Sequence, residues 1–389
     1  MFLDATLKQN RKLIETAIEF HQQGLISPNT YVLDLDMVKH NVQLLSKEAK
    51  KQDIELLFMT KQFGRNELVA KAIVEAGIKK AVAVDPWEAI TLNQYGIKIG
   101  HVGHLVQIPK GMIRTILQLE PEFVTVFSYE NACQISEVAV QMNKKQKIYL
   151  RIADTEDFLY NGQNGGFTLS QLHHDVENLM RLTGIEIAGL TSFPCILIKD
   201  NSPQVTQNVL TMQQAKKLLA EKGIHDLEMN MPSATSTATM KLLKENGATQ
   251  GEPGHAMTGT TPLHASGDLP EKPSMVYVTE VSHIYNHQAY VFGGGFYPRS
   301  RMEGALVATD KRNLQRVSVI ENDPANIDYY GTLETEDVHV GDTVIYAFRT
   351  QVFVTNAQIA IVENINDDPK LLGIYDSVGH VIPTNNIDE

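Results

Sequence analysis

Between residues 54 and 251 the chain alternates short apolar runs with helix-periodic stretches eight times over, and this rhythm constrains the fold more than anything else in the sequence. The expected strands are 54–60, 80–84, 102–107, 123–127, 147–153, 185–190, 226–230 and 248–251. The helices between them fall at 65–77, 86–95, 110–119, 129–143, 168–182, 203–222 and 234–246, with start signals such as Asp85-Pro86 and Ser128. Alternation of this kind, with short loops, is the signature of βα units on a parallel sheet. Eight units over about two hundred residues match an α/β fold of the (β/α)8 TIM-barrel type. An open doubly wound sheet is the alternative, but it rarely has eight units so evenly spaced.

On either side the texture differs. Residues 1–29 read as an N-terminal helical extension with one helix over 3–23, stopped by Gly24, Ser27, Pro28 and Asn29. Tyr31 to Leu35 reads as an entry strand that passes at Asp36 into a helix, and residues 30–268 are assigned to the barrel with that strand. The polar stretch SGDLPEKP marks a boundary. Beyond it, over 269–389, MVYVTEVSH, QAYVFGG, GALVAT, QRVSVI, DTVIYAF and AQIAIV are β-branched and aromatic runs between turn formers, so the C-terminal domain is expected to be all-β.

A formal net charge of −12, with no block of lysine or arginine, argues against nucleic acid or an anionic membrane as partner and favours small molecules. Cys133 and Cys195 are far apart and lack ligand spacing, which signals neither a disulfide framework nor structural zinc. The N-terminus lacks an apolar export core, and a reducing cytoplasm is the expected location.

In a barrel of this type chemistry sits at the carboxyl ends of the strands. That rim collects Lys61 after IELLFMT, Arg151, Phe193, the Pro232-Ser233-Ala234-Thr235 turn, and Gly251-Glu252-Pro253-Gly254-His255. Lys61 is the residue type that condenses with an aldehyde when its surroundings are apolar, although lysines at strand ends also simply extend to solvent. Ser233, Thr235 and Ser236 at a helix start, with Gly254, suit a phosphate; they equally suit N-caps. A Schiff-base lysine and a phosphate site together imply pyridoxal 5'-phosphate, with Glu252 the candidate facing the pyridine nitrogen.

These residues carry a resemblance. YVLDLDMVKHNVQLL, LLFMTKQFG, MPSATS and QGEPGHAMTG, in that order, resemble motifs of the fold-type III pyridoxal-phosphate enzymes, the alanine racemase and ornithine/diaminopimelate decarboxylase superfamily. Within it the chain looks most like the amino-acid racemases of the ornithine racemase and YhfX-like group. The resemblance implies that Lys61 holds the cofactor, that Ser233 and the backbone of Gly254 and His255 bind its phosphate, and that Glu252 meets the ring nitrogen. Alanine racemases have arginine at the Glu252 position. His255 stands where the related decarboxylases have a phosphate-binding arginine, and Arg65 is expected to replace part of that charge. Arg151 is expected near the cofactor, and Phe193 stands in for a histidine that packs on its ring.

The departures bear on the reaction. The resembled decarboxylases use a cysteine in the second domain, and none follows Cys195 here; the D-threonine aldolase and D-serine dehydratase relatives use a His and Cys metal pair there, and FRTQVFVTNAQ offers neither. No metal is expected. Alanine racemases draw a second base from the partner subunit, a place taken here by His283, with Tyr285 close by; a histidine at a strand end is otherwise merely solvated. The expectation is therefore a homodimeric amino-acid racemase or epimerase. A decarboxylase or D-amino-acid lyase of the same fold, or a non-catalytic pyridoxal-phosphate-binding protein, is the alternative. In GHVGH, His101 and His104 are expected on opposite faces of a strand, without a third ligand. His173 and His174 read as exposed on a helix. Gly293 to Gly295 read as a bulge and turn that aims Tyr297 and Arg299 at a dimer interface.

Overall fold

The computed structural model describes residues 1–297, 300, 302–323 and 325–383. In chain order the elements begin with α1 (Phe2–Gln9), α2 (Arg11–Gln22), β1 (Thr30–Asp34) and α3 (Leu35–Gln52). There follow β2 (Glu55–Phe58), α4 (Glu67–Ala76), β3 (Lys80–Ala83), α5 (Pro86–Gln94), β4 (Lys98–Val102), α6 (Ile113–Gln118), β5 (Phe123–Val126), α7 (Tyr129–Gln141), β6 (Gln146–Arg151), α8 (Leu169–Met180) and β7 (Ile185–Thr191). A hairpin of β8 (Ile196–Lys199) and β9 (Ser202–Val205) precedes α9 (Gln207–Glu221), β10 (Glu228–Asn230), α10 (Met240–Glu245), β11 (Gln250–Gly251) and α11 (Pro262–Ser266). The chain then turns all-β: β12 (Met275–Tyr285), β13 (Gln288–Phe292), β14 (Gly304–Ala308), β15 (Leu314–Ile320), β16 (Tyr330–Leu333), β17 (Thr343–Tyr346), β18 (Gln358–Glu363) and β19 (Lys370–Tyr375).

By internal contacts the chain divides into two units, one of residues 43–60 and 73–254, the other of residues 1–42, 61–72 and 255–389. The first is the barrel. Its eight strands close in the order β10-β11-β2-β3-β4-β5-β6-β7, all parallel. Leu57, Met59, Val82 and Val84 pack together as part of its core, each such side chain contributing about 1.5–3 kcal/mol by burial. Helix starts follow local chemistry: Asp85 accepts from the Glu88 amide ahead of Pro86, Ser128 from the Asn131 amide, and Thr168 forms a capping box with Gln171.

The alternation is as expected, with three local differences. The third barrel strand lies at Lys98–Val102 rather than 102–107, because Gly103 (φ +85°) turns the chain out of it. A Cβ on Gly103 would lie 3.1 Å from the Thr125 carbonyl oxygen. The β8–β9 hairpin occupies part of an expected helix, and its turn residues Asp200 and Asn201 both have positive φ (48° and 57°), the backbone of a tight hairpin turn. The helix expected over 234–246 is only Met240–Glu245. Ahead of it Thr239 Oγ1 bonds the Ser236 amide at 3.0 Å and the Ala234 carbonyl at 2.6 Å, so side-chain bonds displace helical ones.

The second unit is built on a nine-stranded sheet in the order β13-β16-β15-β14-β17-β12-β1-β18-β19, with β12 also pairing β13. The β1 strand does not accompany the barrel: it lies between β12, antiparallel, and β18, parallel. Its five residues are all buried, so it needs partners on both edges and cover on both faces. The N-terminal extension covers this sheet, with Leu13, Ile14, Ala17 and Ile18 packed among Val32, Val276, Val278, Ile345 and Ala360. It is two helices rather than one, because Asn10 caps the second through Leu13 and sends its amide to Asp34 and the Pro273 carbonyl. Among the described residues no helix is long and apolar enough to cross a membrane.

Candidate active site

At the carboxyl ends of the barrel strands a belt of polar side chains runs through a buried interior. Thr191, closing β7, donates to Asn230 Oδ1 on β10 at 2.8 Å. Asn230 Nδ2 donates to Glu252 Oε1 at 3.0 Å, and His101 Nδ1, from β4, lies 2.7 Å from that oxygen. His101 Nε2 continues the belt to the hydroxyl of Thr125 on β5. Because the acceptor is a carboxylate, His101 carries its proton on Nδ1. Thr235 Oγ1 accepts from the Glu252 amide at 3.2 Å and so anchors its backbone.

The Glu252 side chain is completely buried. Burial pushes its carboxyl upward, but the imidazoles of His104 and His101 and the Asn230 amide outweigh this, and the group lies below the ordinary carboxylate range. Its other oxygen, Oε2, lies 3.7 Å from His104 Nε2 and makes no hydrogen bond among the described residues. A buried carboxylate oxygen without a donor costs about 1–3 kcal/mol or more, and it fits a cofactor that brings a ring N–H.

His101 and His104 therefore do not face apart. Since β4 ends at Val102 and Gly103 turns the chain, the strand alternation does not reach His104, and both imidazoles meet Glu252 with ligand atoms within 4.8 Å of one another. Phe193 sets its ring edge-on to His104 at 5.6 Å and also meets Tyr160 at 5.7 Å. Arg151 is buried and serves the surrounding loops: it donates to the carbonyls of His104 (3.4 Å) and Gln163 (2.6 Å), and its guanidinium lies over Phe127 at 4.6 Å. Burial lowers it to about 10, which leaves it a cation. Ser233 and Ala234 both take positive φ, 106° and 50°, at about 1–3 kcal/mol each. The Ser233 hydroxyl donates to the Ile196 carbonyl at 2.6 Å.

Of the remaining expected residues, Gly254 is the last of the barrel unit, and Lys61, Arg65, His255, His283 and Tyr285 belong to the second. Lys61 opens a 3-10 turn, Lys61–Phe63, directly after the barrel segment that ends at Thr60. Gly64 (φ +67°) packs so tightly that a Cβ would lie 3.0 Å from the Ser377 carbonyl oxygen, and Arg65 places its guanidinium 5.7 Å from the centre of the Phe353 ring. His255 is half-buried and accepts on Nε2 from Arg349 Nε at 2.9 Å, with Gln351 Nε2 at 3.2 Å and Thr260 on its Nδ1 at 3.1 Å. Burial, and then the charges of Arg349 and Lys61, hold this histidine well below its ordinary range, so it is neutral. The positive charge absent at position 255 is brought to it by Arg349.

His283 stacks flat on Tyr290 at 4.7 Å, meets Tyr330 edge-on at 5.0 Å, and bonds Ser282 through Nδ1. It sits where the β12–β13 register shifts. Tyr285, on the same strand, is 63% exposed. Tyr297 is half-buried, and Arg299 lies outside the described residues. His174 is exposed beside Asp175. The residues that sequence reasoning missed are Asn230, Thr125 and Arg349, and it set aside His101 and His104. A signal was present in Gly103, a turn former inside GHVGH.

The closed eight-stranded barrel and the all-β unit after it give the chain an alanine racemase-like fold. The alanine racemase N-terminal domain model matches residues 33–262, and the YhfX-like C-terminal domain model matches 276–371. The chain belongs to the alanine racemase family and, within it, to the YhfX-like group. It is 38% identical to the uncharacterized protein YhfX of Escherichia coli (strain K12), over 98% of this chain and 99% of that protein. An alanine racemase of Clostridium tetani is 27% identical over 65% of this chain and 64% of its own. Among solved structures, a D-threonine aldolase from Filomicrobium marinum superposes with a TM-score of 0.68 at 14% identity, over 91% of this chain and 95% of that one. Alanine racemases, a dehydratase and a diaminopimelate decarboxylase share the fold. Pyridoxal phosphate is the cofactor of the family.

Proposed function

We propose that the chain is a pyridoxal-phosphate-dependent amino-acid racemase or epimerase, working in the cytoplasm as a homodimer. The observation that carries the cofactor part of this reading is Glu252, a buried carboxylate with one oxygen held by two donors and the other left for a third. Lys61 would hold the cofactor through its aldehyde, Ser233, Gly254 and His255 would bind its phosphate, Arg65 and Arg151 would supply positive charge, and Phe193 would give the ring an aromatic neighbour. When bound, pyridoxal phosphate supplies the electron sink that makes a substrate Cα proton removable. Lys61 Nζ then takes or returns that proton on one face. His283 Nε2 or the Tyr285 hydroxyl of the partner subunit serves the other, since a single base would restore the proton to the side it left.

The sequence likeness to an alanine racemase favours racemisation, as does the lack of any cysteine after Cys195. The fold alone favours no reaction, because an aldolase and a decarboxylase share it. The test is incubation of single enantiomers in deuterated water. The expected result is deuterium at Cα and equal enantiomers, with no carbon dioxide or aldehyde released. Carbon dioxide would establish a decarboxylase, and an aldehyde a lyase. Full racemase activity with Lys61→Ala would overturn the assignment of the base.

A further inference from the structure

Three side chains around Glu252 have no role in the reading above, and one of them controls it. We propose that His101 is a positioning residue: with Asn230 it pins one oxygen of Glu252 so that the other is presented to the ring nitrogen of the cofactor. This rests on the assignment of Glu252 as the partner of that nitrogen.

The terminal torsion of a glutamate is broad, so a carboxylate at the end of it aims poorly unless other groups fix its plane. Here Oε1 is fixed by donors at 2.7 Å and 3.0 Å. His101 is itself held, by Thr125 on Nε2 and by edge-on contacts with Tyr149 at 5.0 Å and His104 at 5.3 Å. What remains is Oε2, buried and without a hydrogen bond among the described residues. A buried acceptor kept waiting in a belt that is otherwise bonded implies a donor that arrives with the ligand. His104 Nε2, 3.7 Å from Oε2, is too far for a hydrogen bond and acts on that oxygen only through its charge distribution.

A divalent ion is the other occupant the chemistry allows, since His101, His104 and Glu252 are all ligand types. It is the weaker reading. His101 Nδ1 would have to lose its proton, and the 2.7 Å bond to Oε1 would be broken.

The experiment compares wild type, His101→Leu and His101→Asn, the last keeping an N–H donor near the place of Nδ1. Each is stripped, reloaded with ¹⁵N-labelled pyridoxal phosphate, and read by cofactor dissociation constant and by the ¹⁵N shift of the ring nitrogen. His101→Leu is expected to weaken cofactor binding about 10–100-fold, the usual effect of removing a supporting partner, and to move the ring nitrogen toward its deprotonated shift. His101→Asn should restore both in large part. If His101→Leu does not fold, Thr125→Val, which frees only the far nitrogen of His101, should move the ¹⁵N shift the same way to a smaller extent. A leucine variant that keeps both the affinity and the ¹⁵N shift of wild type overturns the proposal and leaves His101 a packing residue. One equivalent of zinc that excludes the cofactor from wild type and is lost in His101→Leu overturns it in favour of a metal site. Wild type that forms no borohydride-reducible bond at Lys61 overturns the functional reading instead, so the two failures are separable.

Discussion

His101 and Asn230 reach the same oxygen of Glu252 from strands that stand opposite one another in the closed barrel, β4 and β10 being four places apart in the ring of eight. The carboxylate is thus a tie across the mouth of the barrel as well as a candidate ligand for the cofactor, and its replacement has two separable effects.

Glu252→Gln keeps the shape and one acceptor for the two donors while removing the charge. Stability should change by no more than about 1 kcal/mol in urea titrations, whereas kcat/KM should fall about 100-fold or more, as for loss of a preorganised charge partner. Glu252→Arg, which would copy the alanine racemases, should instead destabilise the protein by about 3 kcal/mol or more, because it sets a cation among His101 and His104 in a buried site.

Acid should weaken the fold earlier than carboxylate chemistry alone predicts. Burial, against a bond that favours the charged form, lowers His264 to about 4, and His255 is also held well down. The folded pKa values lie below the unfolded value of about 6.5, so the unfolded chain binds protons first. Stability is full above about pH 6.5 and falls as pH drops toward the folded values, by about 1.4 kcal/mol per pH unit for each histidine. Urea midpoints from pH 7 to pH 4.5 should show this slope, and His264→Gln should flatten it.

Arg349→Met should free His255 from its donor and from the larger neighbouring charge. The histidine should then titrate closer to its ordinary range, visible as an upward move of its imidazole resonance in an NMR pH titration. An unmoved resonance would mean that Arg349 takes no part in setting it.

His283→Ala should slow deuterium entry at Cα more from one enantiomer than from the other, by about 10²–10⁴-fold if the imidazole is the second base. Dilution below the dimer dissociation range should reproduce the same asymmetry in the native protein. Equal exchange from both enantiomers would leave His283 as the partner of Tyr290 in the sheet and nothing more.

The eight barrel strands and the β-texture of the C-terminal domain were legible because periodicity and turn chemistry are local. That Lys61 and Glu252 come just after barrel strands was legible because each follows its strand in a short, readable phrase. The partners of Glu252 were not. His101 and Asn230 become its neighbours only when the sheet closes, and periodicity placed His104 wrongly because a glycine ended the strand one residue after it should have begun. Arg349 lies far along the chain from His255, and nothing in FRTQVF says which loop it will meet. The β1 strand misled for the opposite reason: its local pattern is plain, but membership of a sheet is decided by distant partners.

That strand has a consequence for synthesis. Tyr31 pairs with Tyr277 on one side and Ile359 on the other, so this segment must wait for partners made far behind it. At roughly 5–20 residues per second, the ribosome leaves it waiting for tens of seconds, an apolar strand with two open edges, while the whole barrel emerges behind it. Helices α1 and α2, born just ahead of it, hold the apolar side chains that cover Val32 in the finished sheet, and they act as its custodians until the rest of the sheet arrives.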